Sequence, residues 1–167
     1  MTTQKRASPQ GIPAAQRPQR RLEDEAPRVR MTIDGGGHGE RYSFHFEVSA
    51  SGTVKCRFGS DLAGRRLGAP ADRTKPVDLD DLLRRLDVSR LKQLRQARMP
   101  AIPPCSLVGR LEVFDGEQQL QIVFMADEGQ ARQAGYRMPP AVARAVDVLY
   151  DLGAKCLGLK GKKAIRP

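Results

Sequence analysis

Apolar and polar residues begin to alternate at Val29. Val29, Met31 and Ile33 are interleaved with Arg28, Arg30 and Thr32, the two-residue period of a strand with one buried face. Past a glycine-rich stretch, Tyr42, Phe44, Phe46 and Val48 alternate with Ser43, His45 and Glu47, which predicts a second strand whose aromatic side points inward and whose His45 faces solvent. Beyond the turn Ala50-Ser51-Gly52, a third run sets Val54, Cys56 and Phe58 against Lys55 and Arg57. These three strands read as a meander.

From Gly59 to Pro76 no period is present, and the stretch reads as a loop. At Asp78 the period changes. Leu79, Leu82, Leu83 and Leu86 recur at helical spacing behind an Asp N-cap and the first-turn acids Asp80 and Asp81. Val88, Leu91 and Leu94 continue the stripe past an interruption at Asp87. Pro100, Pro103 and Pro104 end the helical region. Leu107, Leu111 and Val113, the pair Asp115-Gly116, and then Leu120, Ile122 and Phe124 form a hairpin signal. With Asp115-Gly116 as a two-residue loop, Leu111 faces Leu120, Gly109 faces Ile122 and Leu107 faces Phe124. Asp127–Gly135 reads as a short helical turn or loop. Pro139 or Pro140 then opens a last helix carrying Val142, Ala145, Val146, Leu149 and Leu152, weakened at Gly153 and ending near Leu157.

The order βββ-α-ββ-α defines an α+β two-layer sandwich, an antiparallel sheet of about five strands with helices on one face. Residues 1–27, rich in Gln, Arg, Pro and Ala and lacking periodicity, read as a disordered tail; 28–157 form a single domain; 158–167 read as a flexible basic tail. With 40% hydrophobic residues, 5% aromatic and no Trp, the core must be largely aliphatic.

Charge extends this picture. The net charge of +10 favours acidic partners such as nucleic acid, although the same balance also keeps a protein dispersed. The basic residues Arg84, Arg85, Arg90, Lys92 and Arg95 share the Leu-rich helical region, and Lys160, Lys162 and Lys163 lie near the end. Together they form the candidate nucleic-acid surface, with affinity that falls steeply with salt. Against it, the strand aromatics that would stack on bases share one alternation with the core.

The glycine-rich stretch Gly35, Gly36, Gly37, His38, Gly39 is followed by a strand pattern, without the Lys-Ser/Thr pair of a phosphate loop or the helix of a dinucleotide fingerprint. It reads as a flexible connection able to enter a partner's cleft. His38 and His45 are the only histidines, with no metal-ligand spacing to Cys or acid. Cys56, Cys105 and Cys156, an odd number far apart, read as reduced thiols outside any nucleophile motif. No cofactor, metal or catalytic set is expected. No apolar run serves as a signal-peptide core or membrane span, so the expected location is the cytoplasm.

The glycine-rich turn at Gly36-Gly37-His38-Gly39, the Leu-rich helix at Leu82–Leu94, the strand-turn Leu111-Glu112-Val113-Phe114-Asp115-Gly116 and the helix at Val142–Leu152 resemble the organisation of the emfourin family, small bacterial inhibitors of thermolysin-like metalloproteases. The resemblance spans roughly Val29 to Leu157 and implies the architecture and a protein partner, a protease among them. It assigns no inhibitory residues. The sequence reading is thus a non-catalytic protein-binding domain of inhibitor-like kind, using Gly35–Gly39 and Gly59–Pro76 at an edge of the sheet; the alternative is a nucleic-acid-binding protein.

Overall fold

The alternation at Val29 becomes strand β1, Pro27–Gly35, and the next two runs become β2, Tyr42–Ser49, and β3, Val54–Ser60. The computed structural model describes residues 26–36, 41–60, 71–72, 75–94, 101–116 and 118–167. A two-residue strand β4, Ala71–Asp72, precedes the helices α1, Leu79–Arg85, and α2, Val88–Gln93. The hairpin strands β5, Val108–Asp115, and β6, Gln118–Met125, follow. The chain then forms α3, Glu128–Gln133, α4, Pro140–Cys156, and a 3-10 turn at Lys162–Ala164. All strands join one antiparallel sheet in the order β4-β3-β2-β1-β5-β6. The fold is α+β, as the alternating and helical periods predict.

Register explains why one face became the core. Met31 of β1 stands between Phe46 of β2 and Leu111 of β5, and Ile33 between Phe44 and Gly109. Each of these rows is buried, as are Tyr42, Phe44, Phe46 and Cys56, and each fully buried large side chain contributes about 1.5–3 kcal/mol. Leu82, Leu86 and Leu91 of the first helical region and Val142, Ala145, Val146, Leu149 and Leu152 of α4 belong to that same core. The opposite face carries Arg30, Thr32, Ser43, His45, Glu47, Lys55 and Arg57, all half-buried or exposed.

The helix ends follow the sequence closely. The Asp78 carboxylate accepts from the Asp81 amide at 3.0 Å, a cap contributing about 1 kcal/mol. The interruption at Asp87 is real. Asp87 takes the left-handed conformation, φ 51°, which Asp tolerates, and its carboxylate caps α2 through the Arg90 amide. Pro140 opens α4 at its first turn, where a missing N–H costs nothing.

Four expectations are corrected. First, the hairpin closes one residue later. Asp115 pairs with Gln118, so Leu111 faces Ile122, Gly109 faces Phe124 and Val113 faces Leu120. The pairing moves by two residues, which keeps every side chain on its expected face. The Phe124 ring needs the bare backbone of Gly109, where an added Cβ would lie 2.2 Å from the ring. Asp115 is meanwhile held at the strand end by Lys92, 3.0 Å away.

Second, Gly59–Pro76 is not one loop. Gly59 and Ser60 finish β3, and Ala71–Asp72 pairs with Cys56 and Lys55 as β4. A two-residue strand is too short to show a period. Val77 then bonds Gly52 at the opposite end of the sheet.

Third, 158–167 is not a free tail. Ile165 is fully buried in the core, and the Tyr42 hydroxyl donates to its carbonyl oxygen. Lys162 and Arg166 both pair with Asp147, and the Arg166 guanidinium sits over the Tyr150 ring. One isoleucine among four cations shows no periodicity, so its burial is invisible in sequence.

Fourth, Gly153 does not merely weaken α4. A Cβ there would lie 2.7 Å from the Phe44 ring and 3.2 Å from the Cys56 sulfur, so the glycine lets the helix seat directly on β2 and β3.

Candidate functional site

Gly35, Tyr42 and Ser60 form one row across β1, β2 and β3. The links that leave β1 and β3 therefore start at the same end of the sheet. Because β1 and β2 are interior strands, this site lies at the strand ends and not at a sheet edge. Gly35 and Gly36 take φ values of 147° and 118°, open to glycine but strained for other residues. Gly37, His38 and Gly39 lie outside the described residues, as do residues 61–70.

A segment that the sequence reading treated only as a helix breaker completes this end. The Ser106 carbonyl comes within 2.4 Å of where a Gly35 Cβ would stand, so the chain before β5 presses onto the β1 backbone. Gln130 of α3 fixes the segment from the other side: its side-chain oxygen accepts from the Leu107 amide at 2.9 Å, and its amide nitrogen donates to the Cys105 carbonyl. The Ser106 hydroxyl closes the turn onto the Pro103 carbonyl at 2.8 Å. Cys105 is held at φ 67°. On this braced segment Ile102 is 44% exposed, the one exposed large hydrophobic side chain among the described residues. Two prolines beside it reduce the freedom that binding would remove.

The open face holds a second polar constellation that the sequence reading did not assemble, because it joins two strands. The Ser43 hydroxyl donates to Asp34 Oδ1 at 2.6 Å. His45 Nε2 lies 2.9 Å from the same oxygen and 3.0 Å from the Ser43 oxygen. These are the residue types of a hydrolytic triad in a different arrangement. In a triad the carboxylate holds one imidazole nitrogen while the other takes the serine proton. Here one nitrogen meets both partners, and the carboxylate receives the serine proton directly, so the arrangement ties β1 to β2. A shallow groove of about 210 Å³ beside it is lined by Arg30, His45, Glu47, Lys55 and Arg57.

The candidate nucleic-acid residues are dispersed. Arg84 and Arg85 lie on α1, and Arg90 and Lys92 on α2, two short helices separated at the Asp87 interruption that the sequence marks. Arg84 pairs with Asp81, Lys92 with Asp115 and Lys162 with Asp147. Lys160 and Lys163 are exposed, and Arg95 lies outside the described residues. Tyr42, Phe44 and Phe46 are buried under the helices and offer no ring to a base.

Buried titratable groups belong to the core. Burial, reinforced by Cys156, pushes the Cys56 thiol up to about 12, so it stays protonated and unreactive. The Tyr42 hydroxyl is held well above its ordinary range by burial and by Tyr150; burial likewise raises Tyr150. Cys156 sits against the Ala71 carbonyl at 3.0 Å, while Cys105 is exposed. A cleft of about 380 Å³ between α3, α4 and β6 is lined by Phe124, Met138, Val146 and Tyr150, with Asp147 already engaged by Lys162 and Arg166.

Among the described residues no three His, Cys, Asp or Glu side chains come together in a way that could hold a metal, and no helix is long and apolar enough to cross a membrane. No family model matches the chain, and no curated protein matches it.

Proposed function

We propose that the chain is a non-catalytic protein-binding domain that engages its partner, in the manner of an inhibitor, with the sheet end where Gly35–Gly36 meets the Ile102–Leu107 segment through Ser106 and Leu107. The observation that carries this reading is the exposed Ile102 on a segment braced by Gln130 and pressed against Gly35. An apolar side chain held rigidly in water is what a protein interface exploits, since little conformational entropy is left to lose. Gly36, just past the strand end, adds half-buried backbone without a side chain to that surface.

The resemblance to protease inhibitors names the first partner to test. Titration of a thermolysin-like metalloprotease with the full chain, in moderate salt, should lower proteolysis to a stoichiometric end point. Ile102→Asp should weaken that inhibition by about tenfold or more with an unchanged melting temperature. Undiminished proteolysis combined with tight, salt-sensitive RNA or DNA binding would replace this reading with the nucleic-acid one. Turnover of a substrate by the chain itself would end the non-catalytic assignment.

A further inference from the structure

Among the described residues β6 pairs only with β5, and alternate residues of such a strand aim their N–H and C=O groups away from the sheet. Proteins that stay monomeric blunt such an edge with a charge, a proline, a bulge or a very short strand. β6 uses none of these. It runs eight residues, Gln118–Met125, reads QQLQIVFM, and pairs with β5 along its whole length without a register shift. In a chain that is 29% charged, every other long strand carries charge: Arg28, Arg30 and Asp34 in β1, Glu47 in β2, Lys55 and Arg57 in β3, Arg110, Glu112 and Asp115 in β5.

We propose that this edge pairs with the β6 edge of a second copy of the chain, giving a twofold dimer with one continuous sheet. The strand is complementary to itself. Only alternate residues present outward N–H and C=O groups, so every hydrogen-bonded antiparallel register matches a residue with one of the same parity in the other copy. Leu120, Ile122 and Phe124 then always face the partner copy's own apolar set on the helix side, while Gln119, Gln121 and Val123 meet on the open side. A twofold on Gln121 or on Ile122 satisfies this condition. Leu120 and Ile122, half-buried in one copy, lose their remaining water. The chain's net positive charge opposes association, but β6 is the long strand that brings no like charges together. A foreign peptide would find no charge along the strand to be selected by, which favours the self-complementary partner. The surface is distinct from the sheet end assigned above to the partner protein.

Sedimentation equilibrium of the full chain tests this directly. The native protein should show twice the chain mass at micromolar concentration. Gln119→Lys with Gln121→Lys changes two exposed side chains and places like charges across the seam. It should raise the dimer dissociation constant about tenfold or more while the circular dichroism spectrum is unchanged. Hydrogen exchange on the native chain gives a second readout that requires no variant: alternate β6 amides should gain protection as concentration rises. A native chain of single mass at every concentration up to millimolar would overturn the proposal. So would a dimer that survives both lysines, or β6 amides protected in a monomer, which would place another segment of the same chain on the edge.

Discussion

The two edges of the sheet are finished by different means. At one, β3 brings Lys55 and Arg57, β4 covers part of its backbone, and the Cys156 thiol of α4 reaches the Ala71 carbonyl. The chain's end belongs to neither edge alone: Ile165 enters the core beside Tyr42 of the interior strand β2, and the Asp147 that gathers Lys162 and Arg166 lines the cleft against Phe124 of β6. At the other edge, β6 has an intact ladder to β5 and an uncharged, regular outer side. Both halves nevertheless solve the same packing problem in the same way, with a phenylalanine over a glycine: Phe44 against Gly153 of α4, and Phe124 against Gly109 of β5. Stability and openness are thus set separately. The sheet is well packed up to both margins, and only the outermost backbone differs.

The largest effect should come from removing the anchor at the chain's end. Ile165→Ala deletes a fully buried side chain and should lower unfolding free energy by about 3 kcal/mol in urea titration. A change within experimental error would mean that the terminal segment is not part of the core.

The two glycines should respond unequally. Gly109→Ala sets a Cβ 2.2 Å from the Phe124 ring, with β5 and β6 locked on either side, and should cost about 2–3 kcal/mol. Gly153→Ala has a wider gap of 2.7 Å to Phe44 and gains about 1 kcal/mol of helix propensity, so its net cost should be no more than about 1–2 kcal/mol. Equal losses in thermal unfolding would erase the distinction between strand-locked and helix-seated contacts.

The smallest effect is on pH dependence and belongs to the middle of the core, where Tyr42 of β2 meets Tyr150 of α4. Burial raises the Tyr42 and Tyr150 hydroxyls above their ordinary value of 10.0, so the folded chain keeps protons that the unfolded chain releases. Stability from these groups is complete below pH 10 and falls as pH rises beyond it. The denaturant midpoint should drop between pH 9 and pH 11, and Tyr150→Phe should flatten that drop. An unchanged midpoint would contradict the burial of both hydroxyls.

Much of this was legible in the residues. The strands appeared as alternation because a half-buried strand must alternate, and Asp78, Asp87 and Pro140 marked helix ends because capping is chemistry between near neighbours. Of the candidate site, Gly35–Gly36 was visible as composition. The Ile102–Leu107 segment was visible only as a proline-rich interruption, since what makes it a surface is the contact of Ser106 and Leu107 with Gly35 and of Cys105 and Leu107 with Gln130, far away in the chain. The trio Asp34, Ser43 and His45 likewise exists only once β1 and β2 are in register.

The sequence by itself determined the fold class, the buried faces and the helix starts, all of which depend on periods and on groups a few residues apart. Tertiary structure alone decided that the hairpin closes one residue later, that Ile165 turns inward and that β6 stands at a margin. Those outcomes depend on which surfaces meet across tens of residues, where one ring over one glycine can choose between two registers that alternate identically.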